Sequence, residues 1–469
     1  MHVNRPDLAQ ESAVTDFRFT VGHQVGEVAR RLYPQGVLIE FENPTQALAD
    51  TAHALTEKRR PIFEATFQAG GVVVRTDLLL PARAGYRITE VKSSTQVKDY
   101  HLEDVSIQAW VARQAGLPVT KVEIAHINSA FVYPGAEDYA GLFTHVNVSK
   151  EASGRANEVP NWVKAARRTL DGDEPDIEPG DQCFDPFECP YLTHCWPSEE
   201  DCYPPEILPY AGALAAELRA EGYADLRKVP KRRLTKPNHA RVWRVTKSGK
   251  AELDPAAGEQ LKAFGYPRHY LDFETIGFAV PLWAGTRPYS QVPFQWSCHV
   301  EKRAGTIEHR SFLADGAGDP RRAFAASLLD ALKKRGPIIV YNAAFEGGRM
   351  RELAAVFPRM ASALNAATAR IVDLLPIARK HYYHREMRGK WSLKAVLPTI
   401  APELAYDELE VADGGQAQQA FAETLHPQTP PKRRLQLREA LLTYCERDTW
   451  AMVKIARFFQ TGVRPDARR

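Results

Sequence analysis

The sequence predicts an α/β protein in which mixed sheets are flanked by helices. Apolar runs of strand length recur along the chain, and segments with helical periodicity separate them. In the N-terminal half, residues 71–80 and 85–92 flank a short turn and are typical of a β-hairpin. In the C-terminal half, three predicted strands precede a helix, a strand and a second helix, an order that favours a mixed sheet covered by helices.

Length and composition are those of an ordinary globular protein. The chain has 469 residues, of which 44% are hydrophobic and 25% charged, and this length is sufficient for two or three domains. The net charge of +3 carries little information about a nucleic-acid partner. No apolar run approaches the roughly 20 residues of a membrane span, and the N-terminus contains no apolar signal core. We therefore expect a cytoplasmic protein that has no membrane partner.

Residues 1–205 are predicted to form one domain. Its hairpin carries three charged residues that suit a metal site, Asp77 on one strand and Glu90 and Lys92 on the other. Because side chains alternate along a strand, Glu90 and Lys92 point to the same face. Asp77 and Glu90 would hold Mg²⁺, and Lys92 would orient or activate a water molecule. An exposed hairpin with ordinary surface charges is the alternative. We expect helices at 17–33, 46–58, 101–115 and 161–170, and strands at 61–68, 71–80, 85–92 and 121–132.

The spacing Asp77-x12-Glu90-x-Lys92, followed by Ser93-Ser94-Thr95, resembles the RecB-like branch of the PD-(D/E)XK nucleases. The resemblance implies a restriction-endonuclease-like fold, a Mg²⁺ or Mn²⁺ cofactor and hydrolysis of DNA phosphodiesters. The branch also carries a catalytic glutamine on the helix after the hairpin, and Gln108 matches it. That predicted helix presents His101, Asp104 and Gln108 at helical spacing.

An early metal ligand is also expected from this resemblance. The branch has a Gly-x-x-x-His turn whose histidine binds metal, whereas here Gly22 is followed by Gly26, and Glu27 comes next. The ligand role therefore falls to Glu27, with His23 as the alternative. Glu64, in the strand before the hairpin, is a further candidate.

Four cysteines lie within twenty residues, namely Cys183, Cys189, Cys195 and Cys202. In a reducing compartment such clustering favours metal binding over disulfides, although the spacings differ from the C-x2-C pairs of a zinc ribbon. Some RecB-like nucleases hold a 4Fe–4S cluster with four thiolates near this point. The resemblance implies these four ligands, with His194 as the alternative to Cys202. A cysteine-rich loop packed on the core is the simpler interpretation.

Residues 206–260 are predicted to form a basic, helical connector. Between Arg227 and Lys250 the chain contains ten lysine and arginine residues, no acidic residue, and Trp243. Such a segment is suited to follow a phosphate backbone, where each contact releases counterions. A solvated helix face is the alternative.

Residues 261–469 are organised around Tyr270-Leu271-Asp272-Phe273-Glu274-Thr275. This stretch is typical of a strand that carries two carboxylates on alternate residues, so that both point to one face. Two such carboxylates repel each other unless a cation lies between them. We also expect strands at 295–299, 307–312 and 338–341 and a strand ending near 372–375, with helices at 320–335, 347–357 and 433–459.

Further acidic residues complete a candidate two-metal site. Glu346 follows the apolar run at 338–340, and Tyr444 and Asp448 lie four residues apart on one face of the closing helix. Hard divalent cations bind oxygen ligands, and a further group must orient the attacking water in phosphodiester hydrolysis. The four acids would supply the oxygen ligands and the tyrosine would orient the water. These residues come from two strand ends and a helix. Strands with acids at a solvent edge are the alternative.

The order Asp-Phe-Glu-Thr, Asn-x-x-Phe-Glu, Tyr-x-x-x-Asp resembles the DEDDy 3′–5′ exonucleases of the RNase H-like superfamily, and in particular an uncharacterised bacterial branch, over residues 265–460. The resemblance implies an RNase H-like mixed sheet and Mg²⁺ or Mn²⁺ as cofactor. It implies that Lys394 contacts a phosphate and that Asp373 is a strand-end acid near the site. Glu346 stands where most members have Asp. The implied metal ligands are Asp272, Glu274, Glu346 and Asp448, and the residue that positions the water is Tyr444.

Taken together, the sequence predicts a nuclease with two metal-dependent centres that acts on DNA or RNA. The C-terminal centre would remove 3′ ends, and the N-terminal centre would hydrolyse DNA phosphodiesters. Repair, recombination and defence against foreign DNA are the expected settings. The alternative is a nucleic-acid-binding protein in which one or both centres are inactive.

Overall fold

Residues 3–10, 13–177, 179–195, 202–406 and 408–463 are described by a computed structural model. The chain divides into two units, one formed by residues up to 197 together with 277–290, the other by 198–276 and 291 onward. The segment predicted as a connector, residues 206–260, belongs to the second unit. Both units combine mixed sheets with helices, which confirms the predicted α/β class.

The first unit contains a six-stranded mixed sheet in the order β1-β2-β3-β4-β5-β6. The predicted hairpin is present as the antiparallel pair β3 and β4, and β4 pairs with β5 in parallel. The strands are β1 (Val37–Leu38), β2 (Ile62–Ala69), β3 (Val72–Ala82), β4 (Gly85–Lys92), β5 (Val119–Ile127) and β6 (Phe143–Asn147). The helices are α1 (Ala13–Arg31), α2 (Pro44–Thr56), α3 (Asp99–Gln114), α4 (Ser149–Arg155), α5 (Val159–Asp171) and α6 (Leu192–Cys195).

Two features of this unit differ from the sequence prediction. β5 ends at Ile127 instead of residue 132, because the Asn128 side chain accepts a hydrogen bond from Ala130 N at 3.1 Å and turns the chain. β6, in which three of the five residues are exposed, was not predicted.

The second unit contains a five-stranded mixed sheet in the order β10-β9-β8-β11-β12 and a small antiparallel pair, β13 with β7. The strands are β7 (Glu252–Leu253), β8 (Arg268–Ile276), β9 (Val292–Glu301), β10 (Ile307–Leu313), β11 (Ile338–Val340), β12 (Ile371–Asp373) and β13 (Tyr382–Tyr383). The helices are α7 (Gly212–Ala220), α8 (Pro237–Ser248), α9 (Ala256–Lys262), α10 (Arg321–Leu332), α11 (Ala343–Val356), α12 (Pro358–Thr368), α13 (Leu374–His381), α14 (Leu393–Val396), α15 (Gly414–Leu425) and α16 (Pro431–Thr461).

β8 is the central strand, and helices cover both faces of the sheet around it. On one face, Leu271 and Phe273 pack in a core with residues of α10 and α11. On the other face lies α16, whose Cys445 thiol contacts Asp272. Side chains directly opposite in a ladder share a face, so Ser297, the partner of Asp272 on β9, also points toward α16. The fold thereby directs both β8 carboxylates at the closing helix.

The basic segment packs as part of this unit. Leu226, Val242 and Val245 lie in the same core as Tyr382 and Phe458. The predicted helical connector begins with a short turn at Pro205–Ile207, which Pro209 separates from α7. Within the described ranges, no helix is both long enough and apolar enough to cross a bilayer.

Candidate functional site

The acids predicted to bind metal in the second unit converge on the face that α16 covers. Asp272 and Glu274 come from β8, and Asp448 comes from α16. One ligand atom each of Asp272, Glu274 and Cys445 lies within 4.8 Å of the others. Burial raises the pKa of Asp272 well above its ordinary value, and the charges of Asp448, Glu274 and Glu346 raise it further. All four predicted acids therefore act on one another in a single site.

Glu346 reaches this site from a helix, not from a strand end as predicted. It lies in the first turn of α11 and is 2% exposed. The Asp373 carboxylate accepts hydrogen bonds from Asn342 N at 3.1 Å and Ala343 N at 2.9 Å, which fixes where α11 begins. Both oxygens of Asp373 are therefore engaged by backbone N–H groups, and the residue positions the start of α11.

The Glu346 carboxylate is incompletely satisfied. Its Oε2 atom is buried and has no hydrogen-bond partner among the described residues. Burial, with a contribution from the charge of Asp373, raises the pKa of Glu346 to about 8. A buried acceptor without a partner lowers the folding stability by roughly 1–3 kcal/mol, and by more when it is charged. Binding of a proton or a cation to the Glu346 carboxylate would remove this cost.

Two tyrosines support Asp448. Tyr406 donates a hydrogen bond to Asp448 Oδ1, and the Tyr444 hydroxyl also bonds to this carboxylate. Burial raises the pKa of Asp448 to about 6, although these hydrogen bonds and the nearby Lys394 charge oppose the shift. Burial and the charge of Asp448 raise the pKa of Tyr444 far above neutrality, so its phenol remains protonated and acts as a donor.

Lys394 supplies positive charge beside these acids. Its ammonium lies 5.3 Å from the Tyr406 ring centroid and 5.1 Å from that of Tyr444. Its charge lowers the pKa of both Glu274 and Asp448 against the effect of burial. The charge of Arg447 also lowers the pKa of Asp448, and two cations do not balance four carboxylates.

Three contributors were not recognised from the sequence. Cys445 is buried on α16, and its Sγ lies 3.8 Å from Asp272 Oδ2. Asp413 caps α15 through Gln416 N at 2.8 Å, and its charge raises the pKa of Glu274. An Asp before a Gly-Gly pair is a helix-start signal that could have identified Asp413. Tyr406 carries no local signal.

The donor set fits hard divalent cations. Four carboxylates converge, one of them has an orphaned oxygen, and burial with mutual repulsion disfavours their charged forms. Oxygen ligands of this kind are those that Mg²⁺ and Mn²⁺ prefer. Asp272, Glu274, Glu346 and Asp448 would hold such ions.

The first unit also brings its predicted residues together. Lys92 Nζ lies 2.8 Å from Glu90 Oε1 and also donates to Asp104. Gln108 Nε2 donates to Glu90 Oε2 at 2.9 Å and to Asp104 Oδ1 at 3.1 Å. The Gln108 Oε1 atom is buried without a partner among the described residues. Asp104, to which the sequence assigned no role, thus belongs to the cluster, one helical turn from Gln108.

Asp77 completes this second cluster. Its Oδ2 accepts a hydrogen bond from Val91 N at 2.7 Å, and burial raises its pKa to about 6. The charges of Glu64 and Asp104 raise the same pKa, so Glu64 lies close enough to act on the cluster. Glu64 has a φ of 57°, a left-handed conformation that is uncommon for a non-glycine residue.

The structure does not bring the predicted early ligand to this cluster. Glu27 is exposed on α1, where its carboxylate pairs with Arg31 at 2.6 Å. His23 is also exposed, and its Nδ1 contacts Phe19 O at 2.8 Å. Arg30, three residues after Glu27 on the same helix, points toward the sheet. It pairs there with Glu64 of β2 at 3.4 Å.

The cysteines divide between the two units. Cys183, Cys189 and Cys195 belong to the first, and Cys202 belongs to the second, where its Sγ lies 3.6 Å from Ala224 O. Burial and then the neighbouring Cys189 raise the pKa of the Cys195 thiol, and Glu174 and Cys183 contribute. His194 Nε2 lies 3.1 Å from Glu174. The predicted cluster remains a prediction.

Much of the basic segment is neutralised locally. Arg227 pairs with Asp225 and Arg244 with Glu252, both at 2.6 Å. Arg233 pairs with two glutamates of the α7 region. Trp243 donates its indole N–H to Val229 O at 2.9 Å and packs on the core. The excess positive charge available to a phosphate backbone is therefore smaller than the residue count suggests.

Comparison with known proteins gives relatives without an assigned activity. The profile of one family, described as Domain of unknown function (DUF2779), matches residues 269–392, which include Asp272, Glu274 and Glu346. The chain is 26% identical over 214 residues to the Uncharacterized protein MG366 homolog of Mycoplasma pneumoniae, and 23% identical over 210 residues to the Uncharacterized protein MG366 of Mycoplasma genitalium. Each match covers 41% of this chain and 32% of the relative, so the chain spans about a third of their length. No solved structure matches the chain.

Metal-free protein should lose stability as the pH rises from about 5 to about 8. The pKa of Glu346 is raised from 4.5 to about 8, so the native state binds more protons than the unfolded state across this window and the associated stability is lost as the pH rises. Urea unfolding in chelator, followed by circular dichroism, measures the slope. Glu346→Gln should flatten it, whereas Glu403→Gln, at an exposed position in the same unit, should not. An unfolding free energy that rises over this window would contradict the assignment.

Proposed function

We propose that this chain is a metal-dependent nuclease with a centre in each unit. The observation that carries the proposal is the buried carboxylate group of the second unit, with its orphaned Glu346 Oε2. Acids held this close resist ionisation unless cations neutralise them, and two-metal phosphodiester sites use such a set. The mixed sheet β10-β9-β8-β11-β12 with helices on both faces supports an RNase H-like fold.

In the second unit, the proposed reaction is removal of nucleotides from a 3′ end. Mg²⁺ or Mn²⁺, when bound, would supply Lewis acidity and lower the pKa of bound water. Tyr444, whose phenol stays protonated and bonds to Asp448, would position the attacking water through its hydroxyl oxygen, which can accept a hydrogen bond. Lys394 would offset charge on a phosphate oxygen, since its ammonium already lies beside the acids. Glu346 and Asp272 would carry the negative charge that holds the ions.

In the first unit, the proposed reaction is hydrolysis of DNA phosphodiesters on a PD-(D/E)XK-type fold. The order and pairing of β2 to β5 support it, as do the contacts of Glu90, Lys92 and Gln108. Burial would lower the pKa of Lys92, but the carboxylates of Glu90 and Asp104 raise it above its ordinary value. Lys92 therefore stays charged and would orient water and offset phosphate charge instead of accepting a proton. Asp77 and Glu90 would hold the metal.

The proposed substrates are DNA or RNA, in repair, recombination or defence against foreign DNA. A 4Fe–4S cluster on Cys183, Cys189 and Cys195 is part of the proposal for the first unit, with His194, the alternative fourth ligand, in the same unit. A nucleic-acid-binding protein is the alternative, and the local ion pairs of Lys92 with Glu90 and Asp104 favour it for the first unit, because an internal cation already neutralises those acids.

Asp272→Asn should remove 3′-end cleavage by the second centre. Loss of several kcal/mol of charge stabilisation corresponds to roughly a thousand-fold drop in rate. The assay uses Mn²⁺ or Mg²⁺ with end-labelled DNA and RNA whose 3′ ends are free or blocked. Glu403→Gln serves as the matched control. Unchanged degradation of free 3′ ends by the Asp272→Asn protein would remove the exonuclease assignment.

Lys92→Ala should abolish cleavage of closed circular DNA and leave 3′-end removal intact. A circle has no 3′ end, so internal cleavage reports on the first centre alone. Glu103→Gln, at an exposed position beside Asp104 on α3, is the control. If the Lys92→Ala protein cuts circles at the wild-type rate, the first centre is not the one described. If wild-type protein binds DNA but cuts nothing with either metal, the binding alternative replaces the nuclease.

A further inference from the structure

A second group of possible metal ligands lies at the edge of the sheet in the second unit. His299 of β9 and His309 of β10 are directly paired across the ladder, with ring centroids 4.6 Å apart. One ligand atom each of these histidines and of Glu446, from α16, lies within 4.8 Å of the others. His299 is buried, whereas the Glu446 side chain is 50% exposed. The group therefore has a protected base and an open side.

A chain of hydroxyls contacts one nitrogen of each imidazole. Thr449 Oγ1 lies 3.1 Å from the carbonyl of Glu446, one helical turn earlier, and 2.8 Å from both Ser297 Oγ and His299 Nδ1. Ser297 Oγ in turn lies 2.9 Å from His309 Nε2. When Thr449 donates to the carbonyl, Ser297 donates to Thr449 and both imidazoles donate to a hydroxyl. In that arrangement each ring keeps a lone pair on its other nitrogen.

The lone pair of His309 faces another acceptor. His309 Nδ1 lies 3.6 Å from Glu446 Oε1, which is too long for a good hydrogen bond. Burial lowers the pKa of His309 and lowers that of His299 to about 3, so both rings are neutral at neutral pH. Two acceptors that face each other repel unless a cation lies between them. Their separation is close to the roughly 3.4 Å between two ligands on a tetrahedral ion with bonds of about 2.1 Å.

We propose that His299, His309 and Glu446 bind a divalent transition-metal ion, for which Zn²⁺ is the best match. Two imidazole nitrogens and one carboxylate suit Zn²⁺, whereas Mg²⁺ prefers oxygen ligands alone. A metal-bound histidine usually donates a hydrogen bond from its second ring nitrogen, and here Ser297 and Thr449 lie in position to accept one from His309 and His299. Three protein ligands leave one position for water or another small ligand.

This site is separate from the carboxylate group but uses the same helix and strands. Ser297 pairs with Asp272 across β8 and β9, and Glu446 is next to Cys445, whose thiol contacts Asp272. An ion at this site would link α16 to the edge strand β10 and stabilise the face on which the carboxylates lie. The inference does not rest on the nuclease proposal, because it concerns binding of the ion alone.

The test is Zn²⁺ binding by the full-length protein in excess Mg²⁺. After removal of metal by a chelator, Zn²⁺ affinity is measured by competition with a chromophoric chelator and bound zinc by elemental analysis. Wild-type protein should bind one Zn²⁺ more than the His309→Ala protein, in which the affinity of this site should fall by about 100-fold or more, whatever zinc the cysteines bind in both proteins. His309 is partly exposed, so this change does not open the core. Asp272→Asn and His426→Ala, which alter the carboxylate group and an unrelated exposed histidine, should retain the ion.

A second variant distinguishes ligation from packing. Ser297→Ala keeps all three ligands and removes the hydroxyl that orients His309, so Zn²⁺ affinity should fall by about 10- to 100-fold while the unfolding transition in chelator is retained. Unchanged Zn²⁺ binding by His309→Ala would overturn the proposal. Loss of the ion in Asp272→Asn with retention in His309→Ala would also overturn it, because the zinc would then belong to the carboxylate group.

Discussion

Repulsion among buried carboxylates is the constraint on which the second unit depends. β8 directs Asp272 and Glu274 to one face, and α16 and α11 bring Asp448 and Glu346 to meet them. Besides burial, the charges of the other three acids raise the pKa of Asp272, and those of Asp448 and Glu346 raise the pKa of Glu274. Because the central strand and the longest described helix hold these acids together, positive charge is needed to offset their repulsion. Divalent cations supply two positive charges in one small ligand.

The two candidate centres differ in how the negative charge of their carboxylates is offset. In the first unit, Lys92 contacts both Glu90 and Asp104, so an internal cation already offsets much of the negative charge. In the second unit, Lys394 lies over tyrosine rings, and one oxygen of the Glu346 carboxylate has no hydrogen-bond partner in the part of the chain that the structure describes. We therefore expect the second centre to depend on metal more strongly than the first.

Strands with strong local patterns could be predicted from the sequence, and residues placed by tertiary packing could not. β8 and the β3–β4 hairpin follow from alternating apolar residues, and their acids were located correctly on shared faces. Tyr406 was missed because its contact with Asp448 joins positions 42 residues apart in a segment without periodicity. Glu27 was expected at the first centre from a motif, but its place on α1 faces solvent. The histidine group could not be predicted from the sequence, because its members come from β9, β10 and α16. The sheet register pairs the two histidines, and the packing of α16 adds Glu446.

The most direct test of the central claim is the location of Mn²⁺ by anomalous diffraction from crystals of the full-length protein. We expect at least one anomalous peak about 2.0–2.3 Å from an oxygen of Glu346 or Asp272, with the orphaned Glu346 oxygen engaged and Asp448 nearby. Crystals of Glu346→Gln should lose or weaken that peak. Carboxylates that pair with one another through shared protons, with no peak at saturating Mn²⁺, would contradict the account.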